Sequence, residues 1–379
     1  MRVLFFVRRI GPYHHARFER AARLVDLTVI ETRSASIEYD WDFKAAPSYA
    51  TGKFHANING ESGLHGDELR SAVAEAFDGF QADVVVTTGW ADQEYHAVVL
   101  EAGRRGIPRI VISDSRYEDE PRKFYKEFIK RRILKSYSAA IVAGTASREY
   151  LLRLGFDAKA IFQPWDVVDN DYFAGHSSTS LFQNRYFLCV CRFIPKKNLI
   201  PLLNSYSEYI KRGGKRKLVL AGSGELEGRL KQTVKELTLG GLVEMPGFLQ
   251  YESLRDCYSN ALSLILPSTT DQWGLVVNEA MAAGLPVAVS INCGCAPDLI
   301  VESQNGYIFD PLKAGEMTEI FAKLDTLDEA GWKRMGENSR SVINKWGLSE
   351  FANGLRESAS YATSVRQPVV SVLHKVLAK

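Results

Sequence analysis

The stretch Leu264-Ile-Leu-Pro-Ser-Thr-Thr-Asp-Gln-Trp-Gly-Leu-Val-Val-Asn-Glu-Ala-Met-Ala-Ala-Gly-Leu-Pro-Val-Ala-Val-Ser290 reads as strand, loop, helix and strand in direct succession. The apolar run ends at Pro267, Ser268 to Asp271 is polar, a helix opens near Gly274, and Gly284 and Pro286 stop it before Val287 to Ser290 extends again. A βαβ unit of this kind builds parallel sheets, which bind ligands at the carboxyl ends of their strands. Asp271 stands just before the helix and Glu279 inside it. At about 1.5 Å rise per residue the two acids are roughly 12 Å apart, comparable to a sugar diphosphate joined to a ribose. One acid is therefore placed to read each end of a nucleotide-sugar. Between them, the amides around Trp273, Gly274 and Leu275 open a helix whose positive end suits a diphosphate.

The segment resembles the signature of the retaining, two-domain (GT-B) glycosyltransferases of family 4. As in that signature, two acids bracket seven residues and Ala280-Met-Ala-Ala-Gly-Leu-Pro-Val287 follows. Asp271 departs from the family's usual Glu and reaches one methylene less far. The resemblance implies an α/β chain of the GT-B class, with two Rossmann-like doubly wound domains and an interdomain cleft. It places a UDP- or GDP-linked sugar donor in the C-terminal domain and a glycan or lipid-linked acceptor facing the N-terminal one. No metal and no separate cofactor are expected. Glu279 would take the ribose hydroxyls, and Gly274 and Leu275 the diphosphate.

Working outward from this segment, Tyr186 to Cys191 is a strand that ends in Arg192-Phe-Ile-Pro-Lys-Lys-Asn198. This resembles the family's Arg-x4-Lys motif, so Arg192 and Lys197 are carried over as the cations that hold the donor diphosphate, with Lys196 as a neighbour able to substitute. Two fixed cations would stabilise the charge that grows on a leaving diphosphate. Lys217 to Ala221 leads into Gly222-Ser-Gly-Glu225, a glycine turn that taken alone does not define a dinucleotide site. In the resembled family the equivalent turn, here Gly222, packs beside the donor, and the stretch matching Val243 to Phe248 borders the base. Cys293-Gly-Cys-Ala-Pro-Asp298 resembles the Gly-Gly-x-Pro-Glu that follows the signature, with Cys295 and Asp298 as departures. The resemblance is strong over about residues 183 to 350 and lies only in rhythm before that.

In the N-terminal half, Val3 to Val7 and Asp26 to Thr32 read as strands, and Gly11-Pro-Tyr-His-His-Ala-Arg17 as the loop into an amphipathic helix. The resemblance lays this loop over the donor diphosphate and the acceptor, so Gly11 would allow close backbone approach, with His14, His15 or Arg17 facing a substrate or simply lying on a helix's first turn. Residues 34 to 65 show no periodicity and read as a long irregular insertion. Its Asp40-Trp-Asp42 matches the metal-binding D-x-D of the other major glycosyltransferase fold only superficially, and Asp169-Asn-Asp171 reads as a turn. From Asp83 to Leu154, strands and helices alternate with the rhythm of a doubly wound sheet. The family often has an active-site histidine at the end of a middle strand. Thr87-Thr-Gly-Trp90 and Ser113-Asp-Ser-Arg116 contain none, and His96 is assigned no such role. Ala174 to Ser180 is small and polar and reads as the linker, which gives an acceptor-side domain over 1–175, a donor domain over 183–350, and a final helix over 351–379 that crosses back.

Composition frames these readings. The 379 residues suffice for two domains with full cores, and 46% hydrophobic with 24% charged residues is ordinary for a globular chain. A net charge of +2 points to no nucleic-acid partner. Five cysteines, in two C-x-C pairs and one single, lack C-x-x-C spacing or a histidine couple, so zinc is not expected. An odd cysteine count suggests reduced thiols in the cytoplasm, and the opening apolar run meets Arg8 and Arg9 too soon for a signal peptide. No apolar run is long enough to span a membrane. From Arg122 to Lys135, however, seven of fourteen residues are Lys or Arg with Phe124, Phe128 and Ile129 among them. That pattern fits either a solvated helix face or peripheral contact with an anionic membrane surface at the inner face. The segment from Val369 to Lys379 repeats apolar residues at three- and four-residue spacing and could dock on protein or lipid.

Two other classes of function compete with transfer. A protein that kept the donor site and lost turnover is consistent with Asp271 and the missing histidine. An NAD-dependent oxidoreductase is disfavoured, because the first strand leads to Gly11-Pro12 rather than G-x-G-x-x-G.

Overall fold

The computed structural model describes residues 1–33, 47–53, 64–174 and 181–378. The chain divides into two compact units, Met1–Val167 with Leu348–Lys379, and Val168–Gly347.

The first unit opens with β1 (Arg2–Val7), α1 (Pro12–Ala21), β2 (Asp26–Glu31), β3 (Ala50–Lys53), α2 (Gly66–Gly79) and β4 (Val84–Thr88). It continues with α3 (Gln93–Arg104), β5 (Arg109–Ser113), α4 (Phe124–Leu134), β6 (Ala139–Val142), α5 (Thr145–Arg153) and β7 (Ile161–Phe162). The strands form one parallel sheet in the order β3-β2-β1-β4-β5-β6-β7, which reverses direction between β1 and β4. Side chains of β1 alternate between two core layers. Val3, Phe5 and Val7 enter one with Trp165, and Leu4 and Phe6 enter the other with Val73 and Phe77. A strand covered on both faces reads as a continuous apolar run, which is why it was legible.

The second unit holds α6 (Asn170–Ala174), β8 (Tyr186–Val190), α7 (Leu199–Lys211), β9 (Leu218–Ala221), α8 (Glu227–Glu236), β10 (Val243–Gly247) and α9 (Tyr251–Asn260). Then come β11 (Ala261–Leu266), α10 (Leu275–Ala282), β12 (Val287–Ser290), α11 (Ala296–Leu299), β13 (Gly306–Phe309), α12 (Glu316–Asp325) and α13 (Glu329–Ile343). Its sheet is also parallel, in the order β10-β9-β8-β11-β12-β13, with the reversal between β8 and β11. Finally α14 (Leu348–Ser364) and α15 (Leu373–Leu377) belong to the first unit. Phe351, Leu355 and Ala359 of α14 are fully buried beside Phe5 and Trp165.

Several readings need correction. Residues 34–65 contain a strand, β3, which pairs with β2 from Thr28↔Ala50 to Glu31↔Lys53. Helix α2 went unread, although Leu69, Val73 and Phe77 recur at four-residue spacing and are its buried face. The loop read over Gly11–Arg17 is helix from Pro12 onward, since proline is pre-set for a helix's first position. Asp169-Asn-Asp171 is the start of α6 rather than a turn, and the Asp169 carboxylate accepts the Tyr172 amide at 3.2 Å. The first unit closes at Val167, short of 175, because α6 packs in the second unit, where Tyr172 stacks on Tyr251 at 4.4 Å. Asp40, Asp42 and residues 175–180 of the expected linker lie outside the described residues. Among the described residues, no helix is long and apolar enough to cross a membrane.

Candidate functional site

The reversal of strand order between β8 and β11 leaves a crevice at their carboxyl ends, the place where open parallel sheets bind ligands. The loop after β8 carries Arg192 to Asn198, and the loop after β11 carries Pro267 to Asp271. Backbone hydrogen bonds join these loops. The Thr269 amide donates to the Lys196 carbonyl at 2.8 Å, the Asp271 amide to the Asn292 carbonyl at 3.2 Å, and the Gly294 amide to the Asp271 carbonyl at 2.9 Å. Three loops, after β8, β11 and β12, are thereby fixed against one another.

Within that frame the Lys197 ammonium donates to the Asp271 carboxylate, which also accepts the Ser268 hydroxyl at 3.3 Å. Their side chains are only 12% and 14% exposed. Burial on its own would lower the Lys197 pKa, but attraction and the hydrogen bond from Asp271 outweigh it, and the pKa is raised. The lysine is aimed by a short turn, Pro195–Lys197, closed by Asn198 in the left-handed conformation at φ 58°. Asn198 is anchored through its side-chain amide to the Pro311 carbonyl at 3.2 Å. Arg192 is half-buried where β8 ends.

Helix α10 begins at Leu275 with Gly274 as its cap, at φ 107°. A β-carbon there would lie 2.9 Å from Leu266 Cδ2, so the glycine lets the helix start directly against β11. The orphan donors of the first turn then sit at the end of the Asp271 loop. Trp273 closes the underside of that loop, donating from Nε1 to Asn278 Oδ1 at 2.9 Å. Glu279 is fully buried, and its carboxylate accepts the Tyr258 hydroxyl at 2.6 Å. The Tyr258 hydroxyl occupies one oxygen of that carboxylate.

Gly222 serves a different purpose from open access. Its β-carbon would meet the Cys191 carbonyl oxygen at 1.9 Å, so the missing side chain lets the turn after β9 press against the end of β8. In the first unit Gly11 caps α1 with φ −101°, a conformation open to other residues, and a β-carbon there would meet nothing within 4 Å. The space before it is clear, as close approach by a ligand requires. Arg17 does not face a substrate. Its guanidinium is buried over Trp165 at 4.4 Å and donates to the Val167 carbonyl at 3.0 Å. His14 stacks near Phe18 and Trp165, where burial lowers its pKa to about 3. His15 Nδ1 lies 3.3 Å from the Tyr49 hydroxyl. Among the described residues, no three His, Cys, Asp or Glu side chains are grouped to hold a metal ion.

Two family models match the chain, glycosyl transferases group 1 over residues 178–342 and the glycosyl transferase 4-like domain over residues 2–163. The chain belongs to the group 1 glycosyltransferases. The N-terminal half, where the resemblance lay only in rhythm, is thus matched as well. Relatives of this chain include the sulfoquinovosyl transferase of Arabidopsis thaliana, 33% identical over 32% of this chain and 24% of the relative. Another is an uncharacterized glycosyltransferase of Methanocaldococcus jannaschii, 32% identical over 44% of this chain and 38% of the relative. The chain therefore spans about a quarter to two fifths of these curated relatives. Among solved structures, Anabaena HepE in complex with UDP and glucose superposes with a TM-score of 0.74 at 16% identity, covering 95% of this chain and 99% of that one. Such a likeness establishes the GT-B fold.

The structure brings Lys197 and Asp271 into contact and sets Arg192 and Gly274 in the loops that follow two adjacent strands, β8 and β11. It withdraws Glu279 beneath Tyr258. Sequence reasoning missed Ser268, Thr269 and Tyr258. The first two lie inside the quoted stretch, but only strand order reveals what they touch.

Proposed function

We propose that this chain transfers a sugar from a nucleotide-diphosphate-sugar to a glycan or lipid-linked acceptor hydroxyl, with retention at the anomeric carbon. The observation that carries this reading is the pairing of Lys197 with Asp271 beside the opening of α10, at the point where strand order reverses. Arg192, Lys197 and the first-turn amides of α10 would receive the diphosphate, and Asp271, released from Lys197 as the phosphates arrive, would accept sugar hydroxyls. Glu279 would take the ribose. As the bond from the anomeric carbon to the diphosphate oxygen breaks, that oxygen keeps the electron pair. The acceptor hydroxyl attacks on the same face and passes its proton to the departing oxygen. Charge grows on the diphosphate along this path, so fixed cations lower the barrier more than they tighten ground-state binding. Five free cysteines favour a reducing, cytoplasmic compartment. UDP, present in the HepE complex, is the first nucleotide to try, with GDP the second.

The test is incubation with UDP- and GDP-linked α-sugars and a panel of glycan and lipid-linked acceptors, with the anomeric configuration of the product read by NMR. An α-linked product supports the reading and a β-linked product removes retention. Nucleotide binding without either transfer or donor hydrolysis leaves a sugar-nucleotide-binding protein instead.

A further inference from the structure

The first two turns of helix α4 expose their apolar residues, although Ile133 and Leu134 at its end enter the core. Phe124 is 88% exposed, Phe128 57%, Tyr125 47% and Ile129 39%, and their spacing of one and four residues places them on one face. The polar side of the same helix turns inward. Glu127 accepts the Tyr150 hydroxyl at 2.9 Å and pairs with Lys130 at 3.2 Å, both side chains being 18% exposed. The helix's single acid is thus consumed within the protein, while Lys123, Lys126, Arg131, Arg132 and Lys135 are exposed.

The neighbouring segment repeats the inversion. Helix α15 lies against α3 and α4. Its His374 is fully buried between His96, at 3.0 Å, and the Ser136 hydroxyl, at 3.1 Å. The Arg109 guanidinium holds the Pro368 carbonyl at 2.6 Å, and the Ser371 amide donates to Ser136 at 2.9 Å. With its polar groups pinned inside, the segment leaves Val369 89%, Val372 72% and Val376 67% exposed beside the exposed Lys375.

We propose that α4 and α15 together form a docking surface for an anionic lipid bilayer, with the aromatic and valine side chains entering the headgroup boundary and the lysines and arginines meeting lipid phosphates. Charge complementarity selects this occupant. A second copy would bring the same cations against one another, whereas an anionic bilayer offers apolar depth and negative charge together. The surface lies wholly in the first unit and is argued independently of the donor site.

The experiment is sedimentation of the full chain with vesicles of phosphatidylcholine alone and of phosphatidylcholine mixed with phosphatidylglycerol. Binding is expected only to the mixed vesicles and should weaken as salt is raised. Phe124→Ser with Phe128→Ser should reduce partitioning by about tenfold or more. Lys123→Gln and Lys126→Gln should each reduce it by about fivefold, and Val372→Ser with Val376→Ser should also weaken it. Unchanged circular dichroism and melting temperature would show that these variants remain folded. Failure to sediment with either vesicle, equal binding to both, or a concentration-dependent dimer that the phenylalanine changes abolish would each overturn the proposal. None of these outcomes bears on donor turnover, so the two readings fail separately.

Discussion

Each of the two parallel sheets reverses its strand order once, and the loops at those two points are tied in different ways. In the second unit the loops after β8, β11 and β12 are joined backbone to backbone, through Thr269, Asp271 and Gly294. In the first unit the tie between the loops after β1 and β4 is a side-chain fork, Arg8 donating twice to Asp92 at 2.6 and 2.7 Å with Arg8 54% exposed. Backbone bonds between loops fix the positions of charged groups, whereas this pair rests on a half-exposed, flexible arginine, with Asp92 itself only 9% exposed and also paired with Arg33 at 3.4 Å. Under the proposed function, the rigid point suits a donor whose diphosphate must meet preset cations. The looser one suits the acceptor side.

The largest effect that would break this contrast is on turnover. Lys197→Ala and Arg192→Ala should each slow transfer by about a hundredfold, roughly 3 kcal/mol, while the donor KM changes far less. A change confined to KM would make both cations simple binding groups and the second reversal point no more specialised than the first.

Next comes Gly222→Ala, which forces a methyl against the Cys191 carbonyl at a φ of 145°. It should cost about 3 kcal/mol of stability, measurable by denaturant titration. Gly11→Ala, whose new carbon meets open space at an ordinary φ, should stay within about 0.5 kcal/mol. If ligand approaches Gly11 closely, that same variant should nevertheless weaken substrate binding, which separates function from fold.

A further contrast is the response to acid. Burial lowers the pKa of His14 to about 3 and of His96 and His374 to about 4, and all three belong to the first unit. Among the described residues the second unit has no histidine. These folded-state pKa values lie below the unfolded value of about 6.5, so the unfolded chain takes up protons first, and stability present at neutral pH falls as pH drops from about 6.5 toward 4. Hydrogen exchange at pH 7 and pH 4.5 should show the first unit opening selectively at the lower pH. Equal opening of both units would place the acid sensitivity elsewhere.

What the sequence carried by itself was local. The strands β1, β8, β11 and β12 stood out because buried strands are continuous apolar runs, and α10 because Gly274 and Gly284 punctuate it. The cations and acids of the candidate site were visible as motif positions. Tertiary structure decided which of them touch. Lys197 and Asp271 are 74 residues apart, and they meet only because β8 and β11 are neighbours in the sheet. Tyr258 over Glu279, the pressing of Gly222 on Cys191, and the transfer of α6 to the second unit were likewise decided by packing, whereas the return of the final helix was already legible. Strand order is a choice among global packings, and no window of sequence shorter than the sheet records it.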